Sequence, residues 1–443
     1  MLFSRLAALL RGQPGHAVAM IPGDITAGVN GTSMRADPGR ITIGFAAPRR
    51  GPGGGSADVT RAQLFAEVLT GGPLSRTELA LRTELSQSTV TKMVNPLIEA
   101  GYIVETGAAS SGAGRPRQLL RVAAERYVVL GVKIAPGAVT GVLADLEARV
   151  SVQRQRPLPH EHQPAQAIQV AADVVADLLG EDEAGRGQVL GVGVGVGGHV
   201  DRGTGRVIQS GILGWSDVPL AEPLAAATGF PVVVGNDVDT LAIAERWFGH
   251  GRGIRSFALV TVGPGIGSAF LLDGEPLTGA SGLSGELGHI PVRPGGRRCG
   301  CGNRGCLETV ASDDAVLRDI AERGGPAYRD IGEAVEGARS GSDPVAESAF
   351  QSMGAELGRA LATVCNLFNP GRIVLTGERA SAFDLFGPAC EQAWRSAAFS
   401  TAASDCELVV DSADDTLWAR GAGCLVIREA VGATAAPARG AAR

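Results

Sequence analysis

The stretch that decides how this chain reads is Glu286–Glu308, ELGHIPVRPGGRRCGCGNRGCLE. It sets His289, Cys299, Cys301 and Cys306 among glycines that permit tight turns. Three thiols and one imidazole form a donor set that tetrahedral Zn²⁺ prefers. Four protein ligands leave no open position, so the spacing predicts a structural zinc site. Merely buried cysteines, or a redox Cys-x-Cys pair, are the competing readings. Two interleaved glycines and a histidine ten positions upstream of Cys299 favour the metal. Carboxylates close the stretch at both ends, Glu286 and Glu308, and on a helix Glu286 and His289 share a face. A knot that pins two carboxylates near each other predicts a polar ligand pocket.

Outward from the knot the pattern is α/β. Strands are predicted at YVVLGVKI from Tyr127 and at GAVTGVLADL, then a helix at QPAQAIQVAADVVADLLG and a strand from Gln188 that ends in a Gly-rich turn. A strand at Pro231–Val234 delivers Asn236 and Asp237 to its carboxyl end, just before the helix VDTLAIAERWFG. Ligands of open α/β sheets bind at such ends. FALVTVGPGIGSAFLLDG, from Phe257, reads as strand, Gly-rich turn and strand; the turn could offer N–H groups to an anion or simply close a hairpin. Beyond the knot come a helix over Val345–Leu367, strands RIVLTG and ELVVDS, and a helix around Ala419–Ala430.

Residues 58–122 differ in kind and predict a winged helix-turn-helix DNA-binding domain, with a three-helix packing module bearing a polar face as the competing reading. Arg61–Leu69 has apolar residues at helical spacing. Ser75 and Glu78 form a capping box, and a third helix over Ser86–Ala100 ends at Gly101 in the manner of a left-handed cap. Gln87, Ser88, Thr89, Thr91 and Lys92, near the start of that helix, are candidates for contact with bases and phosphates. Pro96 predicts a kink in the helix or an end to its straight part. Tyr102–Glu105 and Gln118–Val122 read as wing strands, and the loop between them carries Arg115 and Arg117, suited to a narrow minor groove. Seven Lys and Arg stand against five Asp and Glu between Thr60 and Val122, a net of +2.

The whole chain carries a net charge of −6 over 443 residues, so charge alone does not make it a polyanion binder. Its 44% hydrophobic and 19% charged residues describe a globular protein. No apolar run reaches the ~20 residues that span a bilayer. The opening MLFSRLAALLRG imitates a signal peptide but lacks its length and a cleavage site. Cysteine placement favours metal binding in a reducing compartment, so the expectation is a cytoplasmic protein. Residues 1–57, with GPGGGS near their end, and residues 432–443 are expected to be linker or disordered.

These motifs resemble the ROK family of repressors, open reading frames and sugar kinases. The resemblance rests on ExGH ahead of CxCGxxGCxE, on GHVDRGTGRV, ILGWSDVPL, the Asn236-Asp237 pair with AERWFG, and TVGPGIGSAFLLDG. It implies two actin-like (ribonuclease H-like) α/β lobes over residues 123–431, with a sugar bound between them by Asn236, Asp237, Glu286, His289 and Glu308, and zinc held by His289, Cys299, Cys301 and Cys306. In kinase members the residue at Asp237 is the general base toward the attacking sugar hydroxyl. Those members open with a strand ending Asp-x-Gly-Gly-Thr-Lys, whose aspartate supports Mg²⁺ and whose glycines wrap phosphate. Here the strand reads GVKIAPGAVT, with Lys133 in place of the aspartate and Pro136 among the former glycines, and a later glycine run has become Thr376-Gly377-Glu378. The resemblance therefore implies a sugar-responsive DNA-binding regulator, a repressor of carbohydrate genes and not an enzyme, and the reading of paired half-sites by helix-turn-helix domains implies a homodimer or homotetramer. An ATP-dependent sugar kinase is the alternative, and a regulator answering to a partner protein through a vestigial pocket is a third reading.

Overall fold

The computed structural model describes residues 56–109, 117–159, 162–180 and 188–433. The first element, α1 (Ser56–Gly71), buries Leu64, Phe65 and Val68. It starts at the penultimate residue of the expected linker. β1 (Leu74–Ser75) runs directly into α2 (Arg76–Thr83), where Ser75 Oγ accepts the Glu78 N–H and the Glu78 carboxylate accepts the Ser75 N–H at 2.8 Å. That is the predicted capping box. α3 (Gln87–Glu99) is capped by Ser86, whose Oγ accepts the Thr89 N–H at 3.1 Å, and the chain leaves it through Gly101 at φ +78°. Pro96 neither ends α3 nor breaks it. It sits in the last turn, where its missing N–H forfeits a single intrahelical bond, and its ring is buried.

β2 (Ile103–Ala109) and β3 (Arg117–Val122) pair antiparallel, and β1 adds to the other edge of β3. The apolar core under this winged domain does not stop at its border. Leu64, Phe65, Ile103 and Leu120 are continuous with Tyr127, Val129, Trp247, Leu425 and Ile427 of the α/β region. The first lobe of that region comprises β4 (Tyr127–Ala135), β5 (Ala138–Asp145), β6 (Val150–Pro157), α4 (Pro164–Leu179) and β7 (Gln188–Val196). After a small antiparallel sheet of β8 (His199–Asp201), β9 (Arg206–Ser210) and β10 (Trp215–Pro219), it closes with α5 (Ala221–Thr228), β11 (Val232–Asn236) and α6 (Asp237–Phe248).

The second lobe contains β12 (Phe257–Val262), β13 (Ile266–Leu272) and β14 (Glu275–Pro276), then the cysteine knot. It continues with α7 (Glu308–Ala311), α8 (Asp313–Glu322), α9 (Ile331–Arg339), α10 (Pro344–Phe368), β15 (Arg372–Thr376), α11 (Phe383–Ala397) and β16 (Glu407–Val410). The two large sheets have orders β6-β5-β4-β7-β11 and β14-β13-β12-β15-β16. Each is an antiparallel three-strand meander followed by two strands parallel to its first. This shared plan is the two-lobed actin-like architecture expected from the sequence. α12 (Asp415–Gly432) returns to lie on β4 and β7. It comes so close that a Cβ on Gly131 or Gly193 would collide with the carbonyl oxygens of Ala419 and Ala422. No helix among the described residues is long and apolar enough to cross a membrane.

Candidate functional site

The parallel strands β4, β7 and β11 bring their carboxyl ends to one edge of the first sheet. At that edge Asn236 caps α6. Its Oδ1 accepts the N–H groups of Val238 and Asp239 at 2.8 and 3.2 Å, and its Nδ2 donates to the Gly198 carbonyl at 2.9 Å. The cap fixes Asp237 at the helix N-terminus, where the dipole favours an anion. Asp237 Oδ1 accepts the Val238 N–H at 2.9 Å, and Oδ2 is paired with the Lys133 ammonium from β4. The two side chains retain only 8% and 9% of their exposure. Lys133 Nζ also stands 4.4 Å from the centre of the Trp418 ring, a cation–π position.

Further carboxylates gather beside this pair. Asp239, in the first turn of α6 with Asp237, accepts from Arg202 at 2.9 Å. Burial pushes its carboxyl above the ordinary range, with Asp237 and Glu286 adding and Arg202 opposing. Glu286 precedes the short turn Leu287–His289 and is also raised, first by burial and then by Glu308, against the pull of His289 and His199. Glu308 opens α7 and accepts the Ile266 N–H at 3.4 Å, just past the turn Gly263–Gly265. The sequence-predicted Asp237, Glu286, His289 and Glu308 thus form one chain of electrostatic neighbours linked through Asp239, with Asn236 as the cap beside Asp237. Asp239, Arg202 and His199 join them without having been predicted; the acid in the first turn of α6 was the available signal. Several acceptors converging in a partly dry cleft can grip the hydroxyls of a polyol.

On the second lobe, Glu378 follows β15 and lays its carboxylate against Gly263. Burial raises Glu378, with Lys133 opposing and Asp313 and Asp237 adding. Asp313 itself takes both arms of the Arg379 guanidinium at 2.8 and 3.0 Å.

The knot brings its four candidate ligands together. Isolated bridges pair Pro291 with Cys306 and Arg298 with Arg304, and Gly305 adopts φ +71° against the Arg293 carbonyl, where no Cβ fits. His289 Nδ1 lies 3.5 Å from Cys299 Sγ, and the Cys301 and Cys306 sulfurs are 3.8 Å apart. One donor atom from each of the four residues falls within 4.8 Å of all the others, an arrangement that can hold a metal ion. Burial pushes the Cys299 thiol up and the Cys306 thiol to about 12, so thiolates at these two positions require a compensating cation, whereas Cys301 is lowered, its burial outweighed by hydrogen bonds from the Asn303 N–H and the neighbouring thiols. The other ring nitrogen of His289, Nε2, faces Glu286 at 3.9 Å. One imidazole thus joins the knot to the carboxylate cleft.

On the winged domain, Gln87, Ser88 and Lys92 are exposed along α3. Thr89 and Thr91 are half-exposed: Thr89 Oγ1 is hydrogen-bonded to Ser86 Oγ at 2.8 Å, and Thr91 Oγ1 donates to the Gln87 carbonyl at 2.9 Å. Asn95, one turn beyond Lys92, is exposed on the same helix and was not predicted. Arg115 and the side chain of Arg117 lie outside the described residues.

The sequence profile of the ROK family matches residues 129–429, and that of a winged helix-turn-helix DNA-binding domain matches residues 66–104. The DNA-binding transcriptional dual regulator NagC of Escherichia coli K12 is 30% identical over 329 residues, covering 72% of this chain and 80% of the relative. The xylose repressor of Bacillus subtilis is 28% identical over 318 residues, covering 72% and 81%. Among solved structures, a ROK family transcriptional regulator, homologous to the E. coli MLC protein, superposes with a TM-score of 0.71 at 29% identity over 85% of this chain and 98% of its own. A ROK family glucokinase from Streptomyces griseus, in complex with glucose and AMPPNP, superposes at 0.58 with 25% identity over 67% and 98%.

Proposed function

The chain belongs to the ROK family, and from that membership we propose that it is a sugar-responsive DNA-binding transcriptional regulator, a repressor of carbohydrate-metabolism genes. The observation that carries this reading is α6. Its N-terminus holds Asn236, Asp237 and Asp239 in the cleft, and its last turn packs on the DNA-binding domain through Trp247 against Phe65 and Arg246 against Glu67 at 3.4 Å. One rigid element therefore touches both the candidate ligand site and the domain that carries α3. In this reading Asn236, Asp237, Glu286, His289 and Glu308 bond the hydroxyls of a sugar or sugar derivative. Gln87, Ser88, Lys92 and, from the wing, Arg115 and Arg117 meet operator DNA in the cytoplasm. Thr89 and Thr91 join them, their hydroxyls keeping acceptor capacity beside the bonds they already make. Helix-turn-helix domains read paired half-sites, which calls for a homodimer or homotetramer.

The metal is Zn²⁺ in this proposal. A tetrahedron with Zn–S bonds of about 2.3 Å has S···S edges of about 3.8 Å, the separation already found between Cys301 and Cys306. Bound there, the ion would fix the knot; His289 Nδ1 and the three thiolates would hold it, and Nε2 would remain free to orient Glu286.

Binding proceeds without phosphorylation in this reading, because Lys133 occupies the carboxylate that would serve as base and Glu378 fills the loop at Gly263. The kinase reading keeps one observation in its favour: a carboxylate at a helix N-terminus in a cleft shared with sugar kinases. The deciding experiment is calorimetry of the zinc-loaded protein with N-acetylglucosamine, xylose and glucose, followed by operator binding with and without the tightest of them. A regulator must bind DNA differently in the two states. Equal operator affinity with and without sugar would refute it, and phosphorylation above that of an Asp237→Asn control would favour the kinase.

A further inference from the structure

A buried lysine at the carboxyl end of β4 is an expensive thing to place where a ligand site opens, and it is not there to cap or to pack. Its ammonium is bound to one side chain, Asp237, and rests on one ring, Trp418. Neither neighbour in the sheet competes for it, since Lys133 stands opposite Thr140 on β5 and Gly195 on β7. Thr140 Oγ1 is itself engaged with Gln155 at 3.0 Å. The two oxygens of Asp237 now differ. Oδ1 has the Val238 N–H and Oδ2 has the ammonium. A carboxylate offers about four lone-pair sites, so each oxygen keeps one for a further donor. It can still accept hydroxyl hydrogen bonds, while both oxygens are already committed to fixed donors.

We propose that Lys133 is a positioning residue of the ligand site: its ammonium clamps the Asp237 carboxylate in a single orientation, so that Asp237 serves as a fixed acceptor for a polyol hydroxyl, independent of any added cation or nucleotide. This deepens the sugar-binding reading and rests on it. The ammonium supplies from the chain itself the positive charge that such a carboxylate needs in a dry cleft. Glu378, laid against Gly263, is the further carboxylate within electrostatic reach of both Lys133 and Asp237.

The test is a double-mutant cycle on the full-length, zinc-loaded chain, with N-acetylglucosamine, xylose and glucose as probes. Lys133→Met and Asp237→Asn are each expected to weaken the tightest sugar by about tenfold or more, and the double variant to be no weaker than the poorer single. Lys133→Arg, which keeps the charge, is expected to return affinity to within about threefold of the wild type. Additive losses, or an arginine variant as poor as the methionine one, would overturn the proposal. Should the methionine variant fail to fold, the wild-type chain decides: adding Mg²⁺ and ATP is expected to leave its sugar affinity within about twofold, and a larger change overturns the clamp. A wild-type chain that binds none of the three sugars overturns the sugar reading and this proposal together, whereas sugar binding with an additive cycle overturns this proposal alone.

Discussion

Phe65 of α1 and Trp247 of α6 meet edge to face, their ring centroids 6.4 Å apart, in a core shared by the DNA-binding domain and the first lobe. Around them Arg61 donates to the Gly432 carbonyl at the end of α12 at 3.0 Å, and Arg252 bonds the Thr70 carbonyl at the end of α1. The winged domain is therefore docked on the lobe through buried apolar surface and through backbone carbonyls, in addition to the chain that joins them.

Phe65→Ala should cost about 3–5 kcal/mol, because it empties the centre of that shared core. Calorimetric unfolding should still show the winged domain and the first lobe melting in one transition at lower temperature. A separate early transition for the winged domain, already present in the wild type, would contradict the shared core.

Cys301→Ser should abolish metal binding and weaken sugar binding together, since His289 carries the knot on Nδ1 and faces Glu286 with Nε2. Metal content by mass spectrometry and sugar affinity by calorimetry check this. A metal-free variant with undiminished sugar affinity would separate the knot from the cleft.

Glu378→Gln should stabilise the protein at about pH 8, and the gain should fade toward about pH 4. The sign comes from burial: the carboxyl is raised in the folded state, so the protonated form is favoured there and stability is lost as pH rises through the folded pKa. Lys133 offsets part of the cost, and Asp313 and Asp237 add to it. Melting temperatures of both proteins across this range supply the measurement. A variant less stable than wild type at the upper end would mean that the carboxylate's backbone hydrogen bond and its attraction to Lys133 together outweigh burial.

Lys92→Ala should weaken DNA binding across sequences and lower the slope of log affinity against log salt by about 0.9, as expected for one lost phosphate contact. Gln87→Ala should instead relax preference at one base pair by about 1–3 kcal/mol. Titrations at several salt concentrations, on matched and altered operators, distinguish the two. An unchanged slope for Lys92→Ala would place that ammonium away from the backbone.

What was legible in the sequence was mostly local. The knot could be read because all four donors lie between His289 and Cys306, and their spacing carries the geometry. The capping box at Ser75 and the left-handed Gly101 were equally local. β6 escaped notice because VSVQRQRP is a largely exposed edge strand in which only Val152 packs on the core; its Arg156 is spent on Asp173 and Asp177 of α4 instead. The small sheet β8–β10 hides in a Gly-rich segment that reads as turn. The Lys133–Asp237 pair joins positions 104 residues apart, and only the parallel alignment of β4, β7 and β11 brings them together. The sequence could show that Lys133 was an unusual residue for its place, but not which side chain it holds.

The twelve residues of α6 span about 18 Å, and that length has a mechanical meaning. A helix of this kind behaves as a lever with its cap at one end and Trp247 at the other. A tilt of about 5° about the Asn236 cap sweeps the far end through roughly 1.5 Å, within the range of helix shifts that accompany switching at packed interfaces. A tilt imposed at the Asn236 cap, with Asp237 carried along in its clamp, would therefore reach α1 enlarged at the Trp247 end.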